Sequence, residues 1–183
     1  MNCYGGKQLA ESARIVRGNT IKIAEEIPED KYGFRPTPET RAVGQLLIHI
    51  GLGHRFQQQM HQTEKRKTLE GLNFPAFIQE VMAEEQVPRL KADTIALLKR
   101  EGDAWASWLE GLSDDFLAEQ VMMRPGTEPA SKSRLEMLLS PKEHEMHHRG
   151  QLMLIQRMIG QTPHLTRQMQ ERMAAAQQSQ ARA

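Results

Sequence analysis

The stretch His144-Glu145-Met146-His147-His148-Arg149-Gly150-Gln151 is the most informative segment of this chain. It places His144 and His148 four residues apart, so on an α-helix both imidazoles lie on one face, one turn apart. At about 100° per residue, one narrow sector also collects the apolar positions that follow, which are Leu152, Ile155 and Ile159. The segment therefore predicts an amphipathic helix that directs a histidine pair toward a core.

The start of this helix is open to two interpretations. Ser140-Pro141-Lys142-Glu143 has the form of a capping box with proline at the first helical position. The helix is therefore predicted either to begin at Ser140 or to be kinked there, and Gly160 and Pro163 end it. From Ala174 the tail is rich in alanine and glutamine, and we expect it to be frayed or disordered.

Two helical segments near the amino terminus have core-facing residues at 4-3-4-3-4 spacing. The first is predicted to end at Pro28, and its stripe consists of Leu9, Ala13, Val16, Thr20, Ile23 and Ile27. The second is predicted to begin after an N-cap at Thr37-Pro38, and its stripe consists of Ala42, Leu46, His49, Gly53, Phe56 and Met60. His49 therefore lies in the middle of a core-facing stripe.

A third long helix is predicted to begin near Pro88, with Glu101 as a polar exception on its buried stripe of Leu90, Thr94, Leu97, Trp105, Trp108 and Leu112. A short helix is expected over residues 75–85, and residues 113–132 are expected to form a loop. Four amphipathic helices without a convincing strand pattern predict an all-α four-helix bundle, with a long connection between helices 2 and 3.

Composition and charge narrow the classes of function. The 183 residues are 39% hydrophobic and 26% charged with a net charge of +1, which is typical of one globular domain and gives no basic footprint for nucleic acid. We expect Lys65-Arg66-Lys67 to be a solvated loop.

No apolar run approaches the ~20 residues of a membrane span, and the first ten residues lack the apolar core of a signal peptide. The single cysteine, Cys3, fits a reducing compartment and is expected in a frayed terminus rather than as a nucleophile. We therefore expect a cytoplasmic protein without nucleic-acid or membrane partners.

The histidines predict a metal site. A lone histidine on an apolar face is commonly a hydrogen-bonded core residue. Two buried imidazoles on one turn, however, each need a partner or cost a few kcal/mol, and one shared ion satisfies both. With His49 as a third ligand, His144 and His148 are predicted to bind one divalent transition metal ion, zinc or nickel before iron, cobalt or copper.

The other histidines and Glu145, which follows His144, are not predicted to be metal ligands. His147 is turned away from the pair and is expected at the surface or as a hydrogen-bond donor to a ligand. The remaining histidines are expected to be exposed, namely His54, His61 and His164. Glu145 is expected to be an exposed acid.

A rival interpretation is a zinc protease, because His144-Glu145-x-x-His148 also matches the H-E-x-x-H pattern, in which the glutamate is the general base. Leu154 occupies the position of a third histidine in one subtype, and Glu171 would have to serve as a distant third ligand. The absence of predicted strands argues against this class.

Three stretches in the same order and separation resemble the DinB-like family of metal-binding four-helix bundles, over roughly residues 5–160. They are Ile27-Pro28-Glu29-Asp30-Lys31-Tyr32-Gly33-Phe34-Arg35-Pro36, Val43-Gly44-Gln45-Leu46-Leu47-Ile48-His49 and the histidine stretch continued to Leu152. The departures from the family pattern are Pro141 within the last helix and Ala42 where relatives often have a small hydroxyl residue.

This resemblance implies an up-down-down-up or related bundle over residues 5–165, with a polar tail over 166–183 that is helical and then disordered. It implies His49, His144 and His148 as ligands of one divalent ion, and a homodimer. It also implies a small-molecule substrate. Thiol S-transfer with a low-molecular-weight thiol is favoured slightly over metal-dependent hydrolysis or a non-catalytic stress-response role.

Overall fold

In the computed structural model, residues 4–180 are described, and most of them are helical. The α-helices are α1 Gly6–Glu26, α2 Val43–Leu52, α3 Arg55–Gln58, α4 Phe74–Glu85, α5 Lys91–Glu110, α6 Asp114–Ala118, α7 Arg134–Met158 and α8 His164–Gln180. Two short strands, β1 Gln120–Met122 and β2 Ser131–Ser133, pair antiparallel. The predicted all-α class is confirmed, whereas the up-down-down-up arrangement of four helices stays a prediction. Cys3 lies outside the described residues.

The core forms where α1, α2, α5 and α7 meet. Helix α1 packs along α5 and α7, and α2 packs against the same two helices and against α4. The main apolar cluster joins these elements through Ile23, Ile27, Leu46, Leu47, Ile50, Leu98, Leu152 and Ile155. Each such side chain contributes roughly 1.5–3 kcal/mol by leaving water. The predicted stripe of α1 is therefore mostly buried, and the faces of α2 and α7 that build the core also carry the histidines.

Helix α7 begins earlier than the sequence predicts. The capping box is Ser133 with Glu136, whose carboxylate accepts a hydrogen bond from the Ser133 N–H at 2.7 Å. The predicted start at Ser140 is wrong, because the helix continues through Pro141. Proline lacks the N–H that would bond to the carbonyl four residues earlier. The Ser140 hydroxyl donates to that carbonyl, on Met137, at 2.8 Å and so replaces the missing bond.

The second helix also differs from its prediction at both ends. The N-cap is Ala42 rather than Thr37, and the Gln45 side chain accepts a hydrogen bond from the Ala42 N–H at 3.1 Å. Thr37 instead forms a turn with Thr40. Helix α2 ends at Leu52, and after a break the chain continues as α3 and a π-helical segment, Gln59–Thr63.

The third helix differs from its predicted buried stripe at Leu90. Leu90 is 67% exposed rather than buried, because it is the N-cap of α5 and lies outside the helical stripe. Thr94, Leu97 and Trp105 are buried as predicted. The polar exception on this stripe, Glu101, accepts a hydrogen bond from Arg55 at 3.1 Å.

Residues 113–132, expected as loop, contain α6, β1 and the start of β2. The expected short helix is present as α4, and α8 extends past Ala174 to Gln180 with an exposed surface. Within residues 4–180, no helix combines the length and the hydrophobicity that a membrane span requires.

Candidate metal centre

The structure brings His49 of α2 together with His144 and His148 of α7. The Nε2 atom of His49 lies 2.9 Å from that of His144 and 3.1 Å from that of His148, and the latter two are 3.2 Å apart. Three nitrogens bound to one tetrahedral ion at ~2.0–2.1 Å are separated by roughly 3.3 Å. This group, here called the histidine triad, can therefore hold a metal ion.

The outer nitrogens of two histidines fix the protonation of their rings. His49 Nδ1 contacts the Glu85 carboxylate, and His148 Nδ1 contacts Gln151 Oε1 at 2.8 Å. Both partners are acceptors, so in a neutral ring, the form that binds a metal, Nδ1 carries the proton and Nε2 presents a lone pair. These lone pairs face one another and would repel without a cation between them. The chemistry of the donor set thus fits a divalent ion.

Glu85 is the residue of this site that sequence reasoning missed. Its side chain is 3% exposed and accepts a hydrogen bond from Arg41 Nε at 2.9 Å in addition to the one from His49. Burial alone would raise the pKa of this carboxyl, but the hydrogen bonds from His49 and Arg41 outweigh burial and lower it. A carboxylate that holds the outer nitrogen of a ligand orients the imidazole and increases its basicity.

His144 is positioned by close packing rather than by a hydrogen bond. Its Nδ1 is buried and has no partner within residues 4–180. A Cβ atom on Gly53 would lie 2.6 Å from this Nδ1, so only glycine leaves room for the ring where α2 ends. Burial, followed by the neighbouring His49 and His148, lowers the pKa of His144 to about 4. The ring is therefore neutral, as a metal ligand must be, at neutral pH.

The other histidines depart from their predictions except for His147. His147 is exposed, lies 3.2 Å from the Gln151 amide nitrogen and packs its ring edge-to-face against His148, with the ring centroids 4.8 Å apart. The other three were expected to be exposed, but His54, His61 and His164 are only 3%, 1% and 4% exposed. The break after α2 and the π-helical segment shift the helical phase, and this turns His54 and His61 inward.

Glu145 is also buried, contrary to the expected exposed acid, with 6% of its surface accessible. Its carboxylate accepts two hydrogen bonds from Arg17 of α1, each at 3.0 Å. Arg17 also donates to the carbonyls of Leu98 and Ile50 at 2.9 and 3.3 Å. The glutamate that the protease pattern would use as a base is thus committed to an ion pair across the core.

A cleft of about 630 Å³ lies beside the triad and has His148 and Glu85 in its wall. Its polar lining includes Arg35, Arg41, Gln45, Gln86 and Gln151, and its apolar lining includes Leu46, Met82, Leu154 and Ile155. A volume of this size is within the range of small-molecule sites.

The family model described as the DinB superfamily matches residues 13–152, which include all three histidines of the triad. Among proteins of curated function, none matches the chain.

Two crystal structures share the fold. A DinB-like protein from Bacillus subtilis has 21% sequence identity and a TM-score of 0.62, with coverage of 85% of this chain and 93% of that one. A protein of Exiguobacterium sibiricum assigned to the DinB family has 17% identity and a TM-score of 0.58, with coverage of 87% and 95%. Because the family model spans most of the chain, and the fold agrees, this protein belongs to the DinB superfamily.

Proposed function

We propose that this protein is an enzyme that uses a divalent transition metal ion at the histidine triad to act on a small molecule. The observation that carries the proposal is the convergence of three Nε2 atoms, all within 3.2 Å of one another, beside a cleft of about 630 Å³. Three protein ligands leave coordination positions open, which is typical of catalytic rather than structural metal sites.

The chemistry that the bound ion supplies is the activation of a nucleophile, a small thiol or a water molecule, near neutral pH. The surrounding residues prepare the ligands for it. Glu85 and Gln151 keep the outer nitrogens of His49 and His148 protonated, so that both Nε2 lone pairs face inward. Arg41 in turn keeps Glu85 ionised and in place.

The two buried carboxylates near the triad are already held in ion pairs or hydrogen bonds, and this favours thiol transfer over hydrolysis. Hydrolysis is accelerated by a free base within hydrogen-bonding reach of the attacking water. Glu145 is paired with Arg17, and Glu85 is held by His49 and Arg41. A coordinated thiol is deprotonated outright, whereas a coordinated water molecule keeps a pKa of about 7, so thiol transfer depends less on such a base. We therefore propose S-transfer from a low-molecular-weight thiol to an electrophile.

The test is a screen of the purified protein, loaded in turn with zinc and nickel. Cysteine, N-acetylcysteine and glutathione are each offered with 1-chloro-2,4-dinitrobenzene, and thioether formation is followed spectroscopically. We expect a rate above background that is lost with a chelator and in His148→Ala, but is retained in His147→Ala. Metal-dependent hydrolysis of ester or amide substrates without thioether formation would contradict S-transfer and indicate a metal-dependent hydrolase. A bound ion with neither activity would indicate a non-catalytic role.

A further inference from the structure

Two arginines enter the cleft from the segment that precedes α2. Arg35 donates to the Thr40 carbonyl and, through Nη2, to Gln45 Oε1 at 2.7 Å. Within residues 4–180, no carboxylate forms a salt bridge with Arg35, so the guanidinium has no counter-ion in the wall of the cleft. Arg41 donates its Nε to Glu85, which leaves its two terminal nitrogens without a partner in the described part of the chain.

Gln45 ties Arg35 to the helix that carries His49. Because Gln45 lies one turn before His49 on α2, the two side chains share a face of the helix. The Gln45 amide also donates at 2.8 Å to Gln86, the residue that follows α4, next to the contact between His49 and Glu85. These two parallel contacts hold α2 and α4 together, so the Arg35 guanidinium has a defined position relative to the triad.

The same cleft also has large apolar side chains in its lining. Met82 and Leu154 are 51% and 59% exposed, although both are large hydrophobic side chains. Leu46 and Ile155 extend this surface inward. A ligand that covers these side chains would gain apolar burial at about 25 cal/mol per Å².

The lining of the cleft has two arginines and two glutamates, and Arg35, the arginine without a carboxylate partner within residues 4–180, favours an anion. Glu85 is already paired with Arg41 and His49, and the other acid in the lining, Glu39, is exposed and forms no salt bridge within residues 4–180. A planar guanidinium without a counter-ion matches a carboxylate in shape and charge and can donate two parallel hydrogen bonds to it. The divalent ion proposed above would increase the positive potential further.

We propose that the cleft binds a small amphipathic carboxylate, with its carboxylate on Arg35 and Arg41 and its apolar chain against Met82 and Leu154. This inference rests on the proposed function, because it names the substrate class of the same cleft. It does not require the metal ion, since neither arginine is a ligand. The two proposals can therefore fail separately.

The experiment measures binding of hexanoate and of its neutral analogue hexanamide by calorimetry, using full-length protein in the presence of a chelator. We expect hexanoate to bind and hexanamide to bind at least about tenfold more weakly, since a hydrogen-bonded charge contributes more than a neutral contact. Arg35→Gln should weaken hexanoate binding about tenfold, and Arg35→Lys should weaken it less. Arg172→Gln is the matched control, because Arg172 is exposed on α8 and does not line the cleft.

Glu39→Gln gives a change that a misfolded variant cannot imitate. Removal of this acid from the lining should tighten hexanoate binding several-fold, because it removes a like charge from the site. Equal affinities for hexanoate and hexanamide, or equal losses in Arg35→Gln and Arg172→Gln, would overturn the carboxylate site. If hexanoate binds without the metal and the triad binds no metal ion, the carboxylate site is supported and the proposed metal-dependent enzyme is contradicted.

Discussion

At the scale of single residues, the site depends on partners that determine which nitrogen of each histidine is free. His49 and His148 are each held at Nδ1 by an acceptor, whereas His144 is held by its fit against Gly53. The three rings are thus oriented by three different contacts. Their convergence follows from these contacts together with the packing of α2 on α7.

The first prediction concerns the ligands. Replacement of His49, His144 or His148 by Ala should each abolish stoichiometric binding of one divalent ion per chain, because two imidazoles alone bind far more weakly than three. Elemental analysis of the purified proteins measures this. His147→Ala is the control and should retain the metal, since His147 is exposed and offers no ligand atom to the group formed by His49, His144 and His148. Loss of metal in His147→Ala with retention in His148→Ala would contradict the assignment.

The second prediction concerns a buried histidine outside the site. Arg134 donates to His61 Nδ1 at 2.7 Å, and the other nitrogen of the ring contacts Gln57 Oε1 at 2.8 Å. Burial, followed by the charge of Arg134, lowers the pKa of His61 to about 4. The unfolded chain, with a histidine pKa of about 6.5, therefore binds more protons as the pH falls from about 6.5 to about 4, and stability is lost over this range.

Urea unfolding in the presence of a chelator measures this effect. The free energy of unfolding should decrease by on the order of 2–3 kcal/mol for His61 between pH 7 and pH 4. In His61→Gln the decrease should be smaller, whatever the stability of the variant at pH 7, because one titrating group is gone. An identical pH dependence in both proteins would show that His61 does not titrate as described.

At the scale of elements, α7 is a continuous helix that contains a proline, and Ser140 makes this possible. The Ser140 hydroxyl bonds to the Met137 carbonyl that Pro141 leaves without an N–H partner, and it also accepts a hydrogen bond from Gln57 at 3.2 Å. Since His144 and His148 follow on the same helix, the direction of α7 after Pro141 determines where these two rings lie.

The third prediction tests this local compensation with a double-mutant cycle. Ser140→Ala should lower the free energy of unfolding by about 1 kcal/mol, because the Met137 carbonyl loses its donor. In the Pro141→Ala background the backbone N–H at position 141 replaces that donor, so the same substitution should cost less. Urea unfolding of the four proteins measures the coupling. Equal costs in both backgrounds would show that the hydroxyl is not compensating for the proline.

At the scale of the whole molecule, the histidine triad joins two helices that lie far apart in the sequence. Helix α2 contributes His49, and α7 contributes His144 and His148. A ligand held by both helices binds the folded chain and not the unfolded one. The fold is therefore expected to be more stable when the triad is loaded with metal. The homodimer stays a prediction at this scale.

The fourth prediction concerns removal of the metal. At a free metal concentration about 100 times the dissociation constant, binding should stabilise the fold by about 2.7 kcal/mol, and a chelator should lower the unfolding midpoint accordingly. Thermal unfolding at neutral pH with and without chelator measures this difference. His147→Ala should behave like the unaltered protein, and His49→Ala should show no effect of the chelator. An unaltered midpoint after complete removal of the metal would contradict an ion that joins α2 and α7.

The sequence by itself determined the features that depend on local spacing. Helical periodicity predicted the buried stripe of α1 and placed His49, His144 and His148 on core-facing stripes, because a helix brings residues three and four positions apart onto one face. It could not locate Glu85, which reaches His49 across 36 positions of sequence in a stretch without a clear stripe.

Tertiary structure alone decided the contacts between elements. Glu145 is buried because Arg17 lies opposite it, and His61 is buried because the π-helical segment turns it toward Arg134. Likewise, α7 passes through Pro141 because Ser140 and the packing of the helix compensate for the missing bond. Periodicity predicts which face of a helix is buried. The partner that pairs with a buried charge or forms a hydrogen bond to a buried ring comes from another part of the chain, so it is determined only when the helices pack.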